Sequence, residues 1–160
     1  MLRLSVLRWG LFGSVLFALI CSATATADRV TTSTIPVSAV LTSPCSSDVI
    51  TFTGTAILTV TEKVDPSGSA KVSLSGTLQD PHAFGVLYSY NFKDQLGSAD
   101  LVKVGDLYKA KFTDRVHFIR LGSGGNQQSD DLFVTVVVYA TINSNLVLTV
   151  DRIDYFVDCK

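Results

Sequence analysis

Apolar and polar residues alternate with a period of two along most of this chain. Between positions 48 and 62 the even residues are mostly apolar and the odd residues mostly carry hydroxyl groups, which predicts a strand with one buried face. Gly54 interrupts the apolar face and indicates a β-bulge or a close backbone approach. Residues 65–68 read Asp-Pro-Ser-Gly, a composition that favours a tight turn. This region therefore predicts a β-hairpin.

The alternation continues through most of the remaining sequence. Further strands are predicted over residues 70–79, 84–92, 107–112, 115–121, 132–142 and 146–157. Residues 80–82 read as a strand breaker, and residues 93–105 as a loop, a short strand or a helical turn. Roughly seven to nine strands, with turn signals about a dozen residues apart, are typical of an all-β fold. We expect a single-domain antiparallel β-sandwich or small β-barrel.

The first 27 residues have the three zones of a secretory signal peptide. Arg3 and Arg8 precede an apolar stretch at 11–20, and the small-residue triplet 25–27 predicts cleavage before Asp28. A retained membrane helix is disfavoured because the apolar stretch is about half of the roughly 20 residues needed to cross a bilayer. Lipidation is disfavoured as well, because the bulky Ile20 precedes the only nearby cysteine.

The predicted organisation is therefore a signal peptide at 1–27, a leader or linker at 28–44 with one short edge strand, and a β domain at 45–160. Cleavage removes two of the 13 basic residues and leaves 11 against 14 acidic ones, a formal net charge of −3. Nucleic acid is not an expected partner for such a chain. We expect a secreted or periplasmic protein with no membrane association after cleavage.

Two cysteines, Cys45 and Cys159, are left in the mature chain. Exported proteins meet oxidising conditions, so the economical interpretation is one disulfide rather than two free thiols. Closing a loop of this length is worth up to about 4–5 kcal/mol in chain-entropy models. The pair lacks the Cys-x-x-Cys spacing of redox enzymes, which favours a structural role.

An aromatic stripe at the even positions 84–92 is one candidate for ligand binding. The odd positions, which point to the other face of the strand, carry mostly small residues. The stripe is interpreted either as part of the packed core or as a surface on which a ligand stacks. The glycine-rich polar loop 122–131 is the second candidate. Together they provide the candidate ligand-binding residues Phe84, Tyr88, Tyr90, Phe92, Asn126 and Asp130.

No motif for catalysis, a metal or a nucleotide stands out. His82 and His117 lack metal-pair spacing, and Ser123 lacks the first glycine of a nucleophile elbow. Glu62 is the single glutamate and is interpreted as a surface charge. The aspartates at 151, 154 and 158 and those of the loop 122–131 could provide oxygen ligands for calcium, which is kept as an alternative. The preferred interpretation is that the charges of the last strand prevent it from pairing with another sheet. We predict no catalytic residue, no metal site and no cofactor.

One resemblance extends over most of the β domain. It rests on Pro44 with Cys45, residues 49–54, Gly105 with Tyr108, residues 118–121 with Gly125, residues 141–145, Asp151 and Cys159. This order resembles a widespread set of small exported bacterial β proteins of uncharacterised function. The set usually has a glycine where this chain has Leu146. The resemblance implies export and the disulfide, and no catalytic residue.

Three functions fit these observations. The preferred one is an exported, non-enzymatic β domain that binds a small molecule, a glycan or a protein. The first alternative is a small barrel enzyme of the cyclase or isomerase type, whose lined cavity shapes a reactive ligand. The second is an eight-stranded outer-membrane barrel, which the length and the alternation permit. A ligand-sized enclosed cavity would favour the enzyme, whereas a solid interior would favour the binding module.

Overall fold

The computed structural model describes residues 28–121 and 131–159. In this part of the chain seven antiparallel strands form one sheet in which each strand pairs with its neighbours in sequence, and the sheet is a nearly closed barrel. The strands are β1 (Arg29–Thr42), β2 (Val49–Val64), β3 (Ala70–Gly85), β4 (Ser89–Val104), β5 (Leu107–Leu121), β6 (Leu132–Ile142) and β7 (Leu148–Cys159). The all-β prediction is confirmed, in its barrel-like form.

The period-two pattern of β2 determines which side chains enter the interior. Ile50, Phe52 and Leu58 are at most 1% exposed, while the odd-numbered threonines of the same strand face outward. Phe52 makes edge-on contacts with Phe118 of β5 at 6.1 Å and with Tyr155 of β7 at 6.3 Å between ring centroids. These contacts join three strands that are distant in the sheet, so side chains fill the described interior.

The predicted leader at residues 28–44 is wrong for most of its length. It forms β1, which pairs with β2 from Arg29 opposite Glu62 to Thr42 opposite Val49. The odd positions of β1 turn inward, and Val37 is 2% exposed. Pro36, one of the two prolines that suggested a linker, is compatible with an edge strand, where a missing N–H leaves no ladder bond unmade.

The predicted breaker at residues 80–82 is a bulge inside β3. Thr53 lies opposite His82 and Thr55 opposite Gln79, so β3 has one residue more than β2 in this interval. Asp80 takes a left-handed φ of 48°. An extra residue exchanges the two faces of a strand, because side chains alternate with period two. Even positions therefore point inward before the bulge, and odd positions after it.

Residues 93–105, predicted to be irregular, belong mainly to β4. The strand pairs with β5 as far as Val104 opposite Leu107, and Gly105 makes the turn with a φ of 61°. Most side chains of β4 are exposed. The sequence shows little alternation here because exposed residues on both faces leave no apolar period.

The predicted disulfide is present between Cys45, in the connection before β2, and Cys159, at the end of β7. The two Cα atoms are 5.7 Å apart across a sequence separation of 114 residues. A second contact joins the first and last strands, because the Ser38 N–H of β1 donates to the Tyr155 hydroxyl of β7 at 3.1 Å. The disulfide and this hydrogen bond tie the last strand to the first part of the sheet.

Leu146 occupies a backbone conformation that favours glycine. Its φ is 62°, yet its side chain is 1% exposed and packs in a second apolar cluster that includes Val60 and Ile142. Burial of a leucine is worth about 1.5–3 kcal/mol, comparable with the about 1–3 kcal/mol that a left-handed backbone costs. The packing of Leu146 therefore offsets the strain of its backbone.

Candidate functional site

The sheet opens between β3 and β4. Their ladder contains one pair, Phe84 opposite Ser89, next to the hairpin turn. Beyond that pair the bulge of β3 at residues 80–81 and a second register shift in β4, between Phe92 and Asp94, lie on the two sides of the opening. Bulges bend strands and end their pairing, which explains why the two strands separate here.

A groove of about 590 Å³ lies in this opening. Its size is within the range of small-molecule sites. It is lined by Leu78, Asp80, Pro81 and His82 from β3 and by Tyr90, Asn91, Phe92 and Gln95 from β4. Two aromatic and two aliphatic side chains thus stand beside two carboxamides, a carboxylate and an imidazole.

Two side chains replace the missing ladder at Leu78. Gln95 Nε2 donates to the Leu78 carbonyl at 2.9 Å, and Asp114 Oδ2 of β5 accepts from the Leu78 N–H at 3.1 Å. Asp114 is 1% exposed, and this burial raises the pKa of its carboxyl group, while the bond from Leu78 lowers it less. The groove wall is therefore held by side chains rather than by strand pairing.

The hairpin that carries Tyr90 is organised by the buried Asp48. Its carboxylate accepts from the N–H groups of Leu87 at 2.9 Å and Tyr88 at 3.2 Å and from the Tyr90 hydroxyl at 3.2 Å. Burial is the main cause that raises the pKa of Tyr90. A Cβ on Gly85 would overlap Asp48 Oδ2, so only glycine leaves room for this arrangement.

The predicted aromatic stripe is divided rather than continuous. Phe84 follows the bulge, faces outward at 62% exposure and stacks on His82 at 5.9 Å. Tyr88 lies after the end of β3, and the Arg120 guanidinium sits 4.5 Å from its ring centroid. Only Tyr90 and Phe92 of the stripe line the groove. Prediction of a single face was wrong because the hairpin turn separates Phe84 from Tyr90, and Phe84 pairs with Ser89, a position of the opposite parity.

The predicted site residues Asn126 and Asp130 lie outside the described residues. The prediction missed Leu78, Asp80, Pro81, His82, Asn91 and Gln95, which line the groove. One signal in the sequence pointed here: Asp114 stands at an even position between the buried Phe112 and Val116. A carboxylate on an apolar face indicates a specific hydrogen-bonding role.

His117 lies on the outer face, in a separate cluster. Its ring is 5% exposed, with Nε2 2.8 Å from Asp131 and Nδ1 3.3 Å from Asp94, and it stacks on Phe133 at 4.4 Å. The two carboxylates contact opposite nitrogens and so do not converge on one point. This geometry holds a ring in place and ties β4, β5 and the start of β6 together.

The aspartates of β7 contact different cationic side chains. Asp151 lies 3.5 Å from Lys109, Asp154 3.2 Å from Arg152 and Asp158 3.9 Å from Arg115. Within residues 28–121 and 131–159, no group of three or more His, Cys, Asp or Glu side chains is arranged to hold a metal ion. The same ranges contain no helix long and apolar enough to cross a membrane.

Comparison of the chain with protein-family models, with curated proteins and with solved structures gives no match in any of the three. The resemblance to small exported bacterial β proteins stays a prediction. The groove between β3 and β4 is accordingly interpreted from its own geometry.

Proposed function

We propose that this protein is an exported, non-enzymatic binding module that takes a small neutral ligand, a glycan unit, into the groove between β3 and β4. The observation that carries the proposal is the groove itself, about 590 Å³ at the place where the sheet opens. Tyr90 and Phe92 provide aromatic surface, and Asn91 and Gln95 provide amide donors and acceptors.

This combination suits a sugar. The C–H groups of a pyranose form an apolar face that packs on an aromatic ring, while its hydroxyl groups both donate and accept hydrogen bonds. Asp80, an acceptor, and His82, which has two ring nitrogens, extend the polar part of the lining. Among the described residues that line the groove there is no arginine or lysine for a phosphate or carboxylate, which favours a neutral ligand.

The two alternative functions receive less support. A cyclase or isomerase that shapes its ligand by enclosure needs an internal chamber, whereas the described interior is filled by packed side chains such as Phe52, Phe112 and Phe118. A membrane barrel presents apolar side chains outward, whereas β2 presents mostly threonines. The polar outward face of β2 favours contact with water rather than with lipid along this strand.

Export is part of the proposal. The disulfide between Cys45 and Cys159 fits an oxidising compartment. The signal peptide predicted at residues 1–27 lies outside the described residues. Secretion or a periplasmic location agrees with the disulfide and with the predicted signal peptide.

Isothermal titration of the purified mature protein with a panel of neutral mono- and disaccharides tests the proposal. We expect one of them to bind, and Asn91→Ala or Phe92→Ala to weaken it by about tenfold, equivalent to about 1.4 kcal/mol. Phe156→Ala is the matched control, because Phe156 is 53% exposed and Phe92 48%, but Phe156 lies on β7, away from the groove.

Three results would contradict the proposal. The first is no binding by any sugar of the panel, and the second is an equal loss of affinity in the Phe156→Ala control. The third is turnover of a ligand that Asp80→Asn or His82→Ala abolishes in a folded variant, which would favour an enzyme. Circular dichroism of each variant separates loss of the groove from loss of the fold.

A further inference from the structure

Asp114 and Gln95 occupy the place of a neighbouring strand beside Leu78. The N–H and C=O of one strand residue point to the same side, where they ordinarily pair with the backbone of the next strand. Here Asp114 Oδ2 accepts from the Leu78 N–H and Gln95 Nε2 donates to the Leu78 carbonyl. The carboxyl and the carboxamide therefore meet at a single residue.

The strand register brings the same two side chains together. Gln95 lies opposite Val116 and Gly97 lies opposite Asp114, so Gln95 and Asp114 are diagonal neighbours on the inner face. Side chains at such positions are within reach of each other across a ladder. Gly97 lies directly opposite Asp114, and even a Cβ there would make only an ordinary contact, 3.6 Å from Asp114 Oδ2.

Two oxygen atoms of this pair, one on each side chain, have no hydrogen-bond donor among the described residues. Gln95 uses its nitrogen as donor, so its oxygen Oε1 is an acceptor, and Oε1 has no donor among the described residues. Asp114 Oδ1 is buried and has no partner there either. Two buried acceptors on diagonally neighbouring residues can satisfy each other if one of them carries a hydrogen, and only the carboxyl group can do so.

We infer that Asp114 carries a proton in the folded protein and donates it to Gln95 Oε1. This bond closes a ring of three hydrogen bonds that runs from Leu78 to Asp114, on to Gln95 and back to Leu78. Asp114 does not line the groove. It is a positioning residue that sets the orientation of the Gln95 amide, which does line it.

The surroundings of Asp114 favour the neutral acid. Burial is the main cause that raises the pKa of Asp114, and no cationic side chain offsets it. The inner face of β6 opposite it is apolar, with Val136 as the partner position. The titratable side chains of the packed strands that line the groove together with Gln95 are Asp80 and His82 of β3 and Tyr90 of β4.

Loss of the proton should open the ring. A carboxylate beside Gln95 Oε1 would bring two acceptors together, so the amide would rotate and release the Leu78 carbonyl. Because the folded pKa exceeds the ordinary value of 3.8, the stabilisation is complete below pH 3.8 and is lost as the pH rises through the folded value. Any effect on ligand affinity rests on the proposed function and follows the same direction.

Carbon-detected NMR of the side-chain carboxyl groups of the full mature chain tests the inference directly. We expect the Asp114 carboxyl to titrate above 3.8, and the unfolding equilibrium constant in urea to rise by up to about tenfold per pH unit over the interval between the two pKa values. Titration of Asp114 at or below 3.8 would overturn the inference, whatever the variants show.

Asp114→Asn and Asp114→Ala provide the matched pair. The asparagine amide can accept from the Leu78 N–H and donate to Gln95 Oε1, so it imitates the neutral acid at every pH. We expect Asp114→Asn to keep the fold and lose the pH dependence, and Asp114→Ala to be less stable than Asp114→Asn. Equal destabilisation by the two substitutions would contradict the ring. These readouts need no ligand, so a failure to bind sugars would count against the proposed function alone.

Discussion

Replacing Gly85 with alanine tests whether the buried carboxylate of Asp48 organises the hairpin between β3 and β4. The added methyl group would overlap Asp48 Oδ2 and would lie 2.6 Å from the Tyr88 carbonyl oxygen and 2.7 Å from Tyr90 Cε2. The backbone carbonyl cannot move aside by rotating a side chain. Either the carboxylate or the hairpin must therefore shift.

The expected cost follows from what the carboxylate holds. Overpacking by a methyl group costs about 1–3 kcal/mol, and losing a hydrogen bond to a charged group costs about 1.5–3 kcal/mol. Asp48 is 0% exposed and accepts from Leu87, Tyr88 and Tyr90. We expect Gly85→Ala to lower the free energy of unfolding by about 3–5 kcal/mol, a large part of the about 5–15 kcal/mol of a typical domain.

Urea denaturation followed by circular dichroism measures this change. With a slope of about 1–3 kcal/mol per molar urea, the midpoint should fall by about 1 M or more. Gly97→Ala is the matched control, because the nearest atoms to a Cβ there are 3.6 Å away, an ordinary contact. It should change the stability by less than about 0.5 kcal/mol.

A double-mutant cycle with Asp48→Ala identifies the carboxylate as the cause. Gly85→Ala should cost less once the overlapping oxygen is gone, with a coupling of about 0.5–3 kcal/mol. Strictly additive effects, or a Gly85→Ala protein as stable as the Gly97→Ala control, would refute this reasoning.

Three further predictions concern the disulfide, the two faces of β2 and the hydrogen bond between β1 and β7. The intact mass of the protein recovered after export should match a chain that begins at Asp28 and lacks two hydrogens. Cys45→Ala should lower the free energy of unfolding by about 2–5 kcal/mol. Alkylation of two thiols in the native protein would exclude the disulfide. Leu58→Asp should cost several kcal/mol or prevent folding, while Thr59→Asp should have a small effect, because Leu58 is 1% exposed and Thr59 is on the opposite face. Equal urea midpoints for the two variants would contradict this assignment of the faces. Tyr155→Phe should cost about 1 kcal/mol by removing the hydrogen bond between β1 and β7. Burial raises the pKa of Tyr155 above 10.0, so the stability from its neutral form is lost as the pH rises past 10.0, and a Tyr155→Phe protein with the same alkaline loss as the parent would contradict this.

The sequence predicts the β2–β3 hairpin well because its signals are local. The turn at residues 65–69 forms as expected, with Gly68 at a φ of 86° and the Asp65 carboxylate accepting from the N–H groups of Ser67 and Ser69. Gly54 marks the bulge interval, as predicted, with a Cβ position 3.3 Å from Leu78 Cδ1. The disulfide followed from counting the cysteines that remain after the predicted signal peptide is removed.

The predictions failed where the alternation crosses an irregularity. Phe84 and Phe92 have the same parity in the sequence, yet Phe84 faces outward and Phe92 lines the groove. The hairpin turn between Gly85, the end of β3, and Ser89, the start of β4, lies between the positions that the stripe united. Sequence parity predicts a face only within an uninterrupted strand, because each extra residue exchanges the faces.

By itself the sequence determined the all-β class, the inward faces of β2 and the pairing of the two cysteines, because each depends on local alternation or on a count. Only the tertiary structure decided where the sheet opens, because the separation of β3 from β4 depends on two bulges acting across the ladder. The meeting of Gln95 and Asp114 at Leu78 has the same origin. Side chains or backbone groups of β3, β4 and β5 meet there, and the periodicity along one strand does not predict which residues of the other two strands it will contact.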